Sequence, residues 1–213
     1  MRNNRMPIAV EGFPLIFVAD LVALVLASLS WKIPAALALV AILFIAFFFR
    51  NPRRKTPSVA NAVVAPADGV IVYIGKAYEK HLDAEMTKIS IFMSVLNVHV
   101  NRAPISGRVT GVFHKKGKFL DARSERATFE NERGGIILEN DSGVKAVIVQ
   151  VAGLIARRIV SYPVKGDFLQ RGERFGLIRF GSRVDVYLPN DIDLQVIMDD
   201  KTTAGKTILG YIP

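Results

Sequence analysis

A chain of 213 residues carrying 28 lysines and arginines against 19 acids, with 51% hydrophobic residues, has room for one domain of ordinary size and an appendage. The absence of cysteine excludes disulfides and thiolate chemistry, and three scattered histidines (His81, His99, His114) without HExxH spacing point away from a metal centre, so any nucleophile is oxygen or nitrogen. The formal charge of +9 suits either nucleic acid or an anionic lipid surface, and the placement of the charges decides between them.

The first fifty residues read as membrane sequence. "FPLIFVADLVALVLASLSW" (13–31) holds one charge, Asp20, and "IPAALALVAILFIAFFF" (33–49) holds none, at the short end of what spans a hydrocarbon core. Two apolar blocks joined at Trp31-Lys32 argue against a cleaved signal peptide, which has one. A helical hairpin turning at "SWKIP" fits better, with a shallow re-entrant or interfacial hairpin as the competing reading. Arg2 and Arg5 flank its open end on one side and Arg50, Arg53, Arg54 and Lys55 on the other. Basic flanks stay on the cytoplasmic side, so residues 1–55 are expected to form a membrane hairpin whose ends, and everything after them, are cytoplasmic.

Composition shifts after "RNPRRKTP", and residues 56–213 are expected to form a second domain. Short strand-like runs replace helical periodicity: 62–75, 88–95, 107–114, 135–140, 144–153, 174–181, 184–189 and 194–198. Turn signals at near-regular spacing predict a mainly β, barrel-sandwich-like fold. The glycine-turn rhythm is similar to that of lipoyl and biotin carrier domains, although no "MKM" or "DKA" lysine tip stands here.

Three places in this domain invite chemistry. Gly181–Ser182 interrupts "RFGSRVDVYLP", in which Val184, Val186 and Leu188 alternate with Arg183, Asp185 and Tyr187. A strand glycine usually marks a bulge, a bend or a close backbone approach. "APADG" puts Asp68 at a turn, where Asp-Gly is ordinary. "NVHVNRAP" puts His99 in an alternating segment, where a lone histidine is more often structural.

Taken in order, FFFRNPRR, PADG, NVHVNRAP, NERG, VAGLIARRIV and GERFGLIRFGS resemble the phosphatidylserine decarboxylases, most of all their short, membrane-hairpin subfamily. The resemblance implies a proenzyme that cleaves itself between Gly181 and Ser182. The Ser182 hydroxyl would attack the Gly181 carbonyl, which carries no side chain to obstruct it. β-Elimination and hydrolysis would then leave residue 182 as a pyruvoyl group capping the small chain, paired with the large chain as a heterodimer. The pyruvoyl would bind the amino group of phosphatidylserine and take up the electrons left by CO₂, the role pyridoxal phosphate plays elsewhere.

By the same resemblance Asp68 and His99 form a relay to Ser182, since a serine at its free pKa needs an adjacent base. Longer relatives carry a second histidine where this chain has Arg102, which departs from the pattern. Arg102 is accordingly expected at the substrate headgroup, and Lys115, Lys116 and Lys118 at lipid phosphate. A higher homo-oligomer is expected, with no nucleic-acid partner: the basic excess clusters beside the apolar blocks and no aromatic-basic platform accompanies it. The competing function is a non-catalytic, membrane-anchored carrier-like adaptor, which would remain a single 213-residue chain.

Overall fold

The apolar blocks fold as two helices in the computed structural model, which describes residues 6–124, 126–154, 158–179 and 181–213. Helix α1 (Phe13–Ser28) has a proline in its first turn, where the missing N–H costs nothing. Helix α2 (Lys32–Phe48) follows after a turn in which Ser30 adopts a left-handed φ of 58°. The open end is tied by Ala9 N–H to Phe49 O (2.7 Å) and Asn51 N–H to Pro7 O (2.6 Å). With the short turn before α1, the 19 residues Val10–Ser28 are long and apolar enough to cross a membrane; α2, at 17 residues, is shorter. Phe17, Ile33 and Leu43 are each at least 70% exposed, an outer surface suited to lipid rather than water.

The chain divides into two compact units, one up to Arg53 and the other from Arg54 to Pro213. The second is mainly β, as its short runs predict. Its strands are β1 (Ala62–Val64), β2 (Gly69–Glu79), β3 (Ala84–Met93), β4 (Val100–Arg102) and β5 (Gly107–Lys115). After a one-turn helix α3 (Ala127–Glu130) come β6 (Arg133–Glu139), β7 (Lys145–Ala152), β8 (Ile159–Ser161), β9 (Phe168–Leu169) and β10 (Arg174–Ile178). The last are β11 (Ser182–Leu188), β12 (Asp193–Leu194), β13 (Lys201–Thr202) and β14 (Ile208–Tyr211). They build three antiparallel sheets: β1-β14-β12, β4-β10-β8, and an eight-stranded sheet ordered β13-β2-β3-β11-β7-β6-β5-β9.

The large sheet curls strongly. The His81 ring, at the β2–β3 hairpin tip, stacks on Phe113 of β5 with centroids 3.8 Å apart. In the sheet β3 and β5 are separated by β11, β7 and β6, four strand spacings or roughly 19 Å if flat. Only a curled sheet brings these rings together.

Curling encloses β11 on both faces. Val184, Val186 and Leu188 join the main core with Ile89, Ile91 and Ile148. Tyr187 packs on the opposite side with Met86, Val147 and Val149. All seven residues of β11 are therefore buried, polar alternates included. Val98, His99 and Val100 are likewise all buried.

Other differences have local causes. The expected run 62–75 breaks at the Asp68–Gly69 turn into β1 and β2. The run 194–198 contributes only Leu194 to a strand, because the Asp200 carboxylate accepts the Ile197 N–H (2.9 Å) and turns the chain. Several two- to four-residue strands, β14 among them, are too short to show a period of two.

Candidate active site

Ser182 is the first residue of the central strand β11, with Met93 of β3 opposite on one side and Ala152 of β7 on the other. It is completely buried, and its hydroxyl is directed at Met93 Sδ (3.5 Å). A thioether is a weak acceptor, so this contact is weaker than an ordinary hydroxyl hydrogen bond. Gly181, just before it, has φ +55°, a conformation in which most side-chain-bearing residues are strained. A Cβ built on Gly153 would stand 3.0 Å from the Gly181 carbonyl carbon and overlap its oxygen. The glycine at 153 thus lets the carbonyl before Ser182 lie against the end of β7.

The Met93 sulfur is also approached by Asn101 Nδ2 (3.7 Å), and Asn101 Oδ1 accepts from Gln150 Nε2 (2.8 Å). Gln150 stands two residues before Ala152 and so shares its face of the sheet. A buried amide pair therefore lies behind the serine, joining β4 to β7. His99 precedes β4; its Nδ1–H donates to the Asn97 carbonyl (3.0 Å), which makes Nε2 the basic nitrogen. Its own carbonyl accepts the Ile178 N–H (3.4 Å), beside the segment that leads to Gly181.

Asp68 is placed differently from the expected relay. Its carboxylate receives a bidentate contact from Arg54, with Nη2 to Oδ2 at 2.7 Å, and the Ala204 N–H at 2.8 Å. Arg54 in turn donates to the Ala204 carbonyl (2.8 Å). By strand order and register Asp68 lies beyond β3 from β11, roughly 10 Å from Ser182 between Cα atoms. The two share one end of the sheet without a hydrogen bond between them.

Arg102 is buried, donates Nη1 to the Gly172 carbonyl (2.9 Å), and stands directly opposite Arg174. Burial, reinforced by Arg54 and Arg174 and opposed by Asp68, lowers its pKa to about 10, so it remains a cation at neutral pH. Lys115 and Lys116 are exposed at the end of β5, and Lys118 forms an exposed ion pair with Glu130 (2.9 Å).

On the face of β11 away from Ser182, Arg183 binds Asp185 through Nε (2.7 Å) and Nη2 (3.0 Å). It also donates to the Ala122 carbonyl (2.8 Å) and Thr128 Oγ1 (2.7 Å). Burial works to raise the Asp185 pKa, but Arg183 and Lys88 outweigh it and hold the carboxyl below its ordinary range. The residue after Ser182 is thus fastened to the segment around α3.

The sequence marked Gly181, Ser182, Asp68 and His99; it did not single out Gly153, Met93, Asn101, Gln150 or Arg54. Gln150, polar in the middle of "AVIVQVAG", was the one legible signal. Arg54 was masked by its place in a basic run beside an apolar block. Part of VAGLIARRIV, residues 155–157, lies outside the described residues.

The phosphatidylserine decarboxylase family profile matches residues 41–210. The chain is 64% identical to the phosphatidylserine decarboxylase proenzyme of Geotalea uraniireducens over 213 residues. It is 58% identical to that of Geobacter sulfurreducens over 218 residues and 52% to that of Syntrophotalea carbinolica over 213. Each alignment covers the whole of both chains.

Proposed function

The chain belongs to the phosphatidylserine decarboxylase family, and we propose that it converts phosphatidylserine to phosphatidylethanolamine and CO₂ after cutting itself between Gly181 and Ser182. The observation that carries this reading is the buried Ser182 hydroxyl following a left-handed glycine whose carbonyl lies against Gly153. The Ser182 oxygen attacks the Gly181 carbonyl carbon, and the acyl group passes from nitrogen to oxygen. Loss of the proton on the Ser182 Cα expels the Gly181 carboxylate, leaving a dehydroalanine at 182. Water then releases ammonia and leaves a ketone at the head of 183–213.

Such a carbonyl, built from the chain itself, supplies the sink for the electron pair that CO₂ leaves behind. The surroundings of residue 182 fit a small uncharged group: Met93 and Ala152 stand opposite it, and its hydroxyl meets the Met93 thioether. His99 acts as the base, since its Nδ1–H is committed to Asn97 and its Nε2 carries the lone pair. Asp68 acts through the 65–68 turn, which it locks to Arg54 and Ala204, rather than by touching Ser182. Arg102, cationic and buried near Asp68, serves the anionic headgroup, with Lys115 and Lys116 farther along the same end of the sheet.

The apolar hairpin anchors the enzyme in the membrane that holds its substrate, with both ends and the β unit on the cytoplasmic face. Large and small chains remain paired after cleavage, because β11 keeps its hydrogen bonds to β3 and β7 on either side. Ser182→Ala tests the reading: intact mass should show an uncut, inactive chain where the parent gives two fragments. The small fragment should begin with a blocked residue and be inactivated by hydroxylamine. A free Ser182 amino terminus on active enzyme would overturn it.

A further inference from the structure

We infer that the end of the sheet where β11 begins is itself a bilayer-docking face, with Leu96 and Leu154 entering the lipid on either side of Ser182. The inference rests on the substrate being a bilayer phospholipid, as proposed above. Both strands next to β11 run antiparallel to it and finish level with Ser182, at Met93 and Ala152. Leu96 lies three residues past the first and Leu154 two past the second. They are 63% and 70% exposed, among the most exposed apolar side chains of the β unit.

Neither exposure is a loose end. Ser94 N–H and Oγ both donate to Asn97 Oδ1 (2.8 Å each), and Asn97 N–H returns to Ser94 O (3.0 Å), a tight turn that leaves Leu96 at its tip. Leu154 follows the buried Gly153, so its backbone is anchored one residue away. Leu96 on its hydrogen-bonded turn and Leu154 just past a buried glycine, separated by about two strand spacings, make a wedge rather than a core residue out of place.

Charge at this end has the sign an anionic bilayer needs. Lys115 closes β5 and pairs through β6 and β7 with the row of Arg183, and Lys116 follows it. They and Arg158 are exposed, while the nearby Glu130 is taken up by Lys118. Arg54 is also held at this end, by Asp68. Apolar tips ringed by cations favour a surface with anionic headgroups over a protein partner or bulk water. Docking this end would bring a lipid headgroup to the buried residue 182 without lifting the lipid clear of the bilayer.

The chain contains no cysteine, so single probes can be placed in the full-length protein. Leu96→Cys, Leu154→Cys and Val164→Cys would each be labelled with an environment-sensitive fluorophore in vesicles of phosphatidylcholine with or without phosphatidylserine. Val164, 63% exposed, sits in the turn that hydrogen-bonds Val109, some six residues or roughly 20 Å along β5 from Lys115. Probes at 96 and 154 should shift blue and be quenched by bromine-labelled acyl chains, more so with phosphatidylserine; the probe at 164 should not. Leu96→Asp and Leu154→Asp should each raise the apparent KM for vesicle-borne lipid roughly ten-fold, about 1.4 kcal/mol of lost insertion, with little change in kcat. Equal quenching at all three positions, or none at 96 and 154, would overturn the docking face. Quenching does not depend on turnover, so a chain that docks without releasing CO₂ would refute the catalytic reading instead.

Discussion

Gly153→Ala places one methyl group against the Gly181–Ser182 peptide bond, the proposed cleavage site. Its Cβ would lie 3.0 Å from the Gly181 carbonyl carbon and 3.3 Å from Ala122 Cβ, where carbon atoms ordinarily rest about 3.5–4.0 Å apart. The obstacles are backbone on one side and a buried alanine on the other, so no flexible side chain can swing away. The Cβ would also overlap the Gly181 carbonyl oxygen, so relief requires that carbonyl or the end of β7 to move by roughly 1 Å or more. Overpacking of this kind costs about 1–3 kcal/mol, which a folded domain survives. Displacing a reacting carbonyl by about 1 Å costs on the order of 100-fold in rate. The variant should fold yet accumulate as precursor, followed by denaturing gel and intact mass over time, with stability read by urea denaturation. Gly143→Ala is the control: φ is +80° with nothing within 4 Å, so it carries only backbone strain of about 1–2 kcal/mol and should mature normally. The reasoning fails if Gly153→Ala is cut at the parental rate, or if Gly143→Ala is slowed equally.

Three further outcomes can be checked. Arg54→Ala leaves the Asp68 carboxylate without its bidentate partner and should cost about 3 kcal/mol, whereas Arg53→Ala should stay within about 0.5 kcal/mol; equal effects in urea denaturation would return Arg54 to the role of a simple basic flank. Asp185→Asn strands Arg183 and Lys88 in a buried site and should destabilise by about 3–5 kcal/mol near neutral pH. Because the Asp185 carboxyl is held below its ordinary value, its stabilisation is complete above the unfolded pKa of about 3.9 and is lost as pH falls through the lower folded value. The gap between parent and Asp185→Asn should therefore be flat from about pH 5 to 8 and narrow only in stronger acid; narrowing near neutrality would contradict the assignment. His99→Asn keeps an amide N–H at the Nδ1 position to donate to the Asn97 carbonyl but cannot take a proton, so cleavage, CO₂ release or both should slow by roughly 10²–10⁴-fold, and parental rates for both would remove His99 from the chemistry.

Local chemistry made much of this protein legible in one dimension. Apolar length and a proline at a helix start need only near neighbours, so both N-terminal helices could be read directly. Longer strands such as β11 show their period, and a glycine-serine step at the head of one announces that a side chain has been dispensed with there. What surrounds that step could not be read, because it comes from residues far apart in the chain. Gly153 matters only because β7 ends beside Gly181, and Asn101 and Gln150 meet across two sheets. Arg54 looked like one more charge in a basic run until the fold set Asp68 against it. The polar alternates of β11 lie on a face that the curl of the sheet buries, which required Arg183 to find Asp185. Sequence determined which residues carry reactive atoms; strand order and curvature, set by long-range pairing and the need to bury both faces of β11, decided which of them meet.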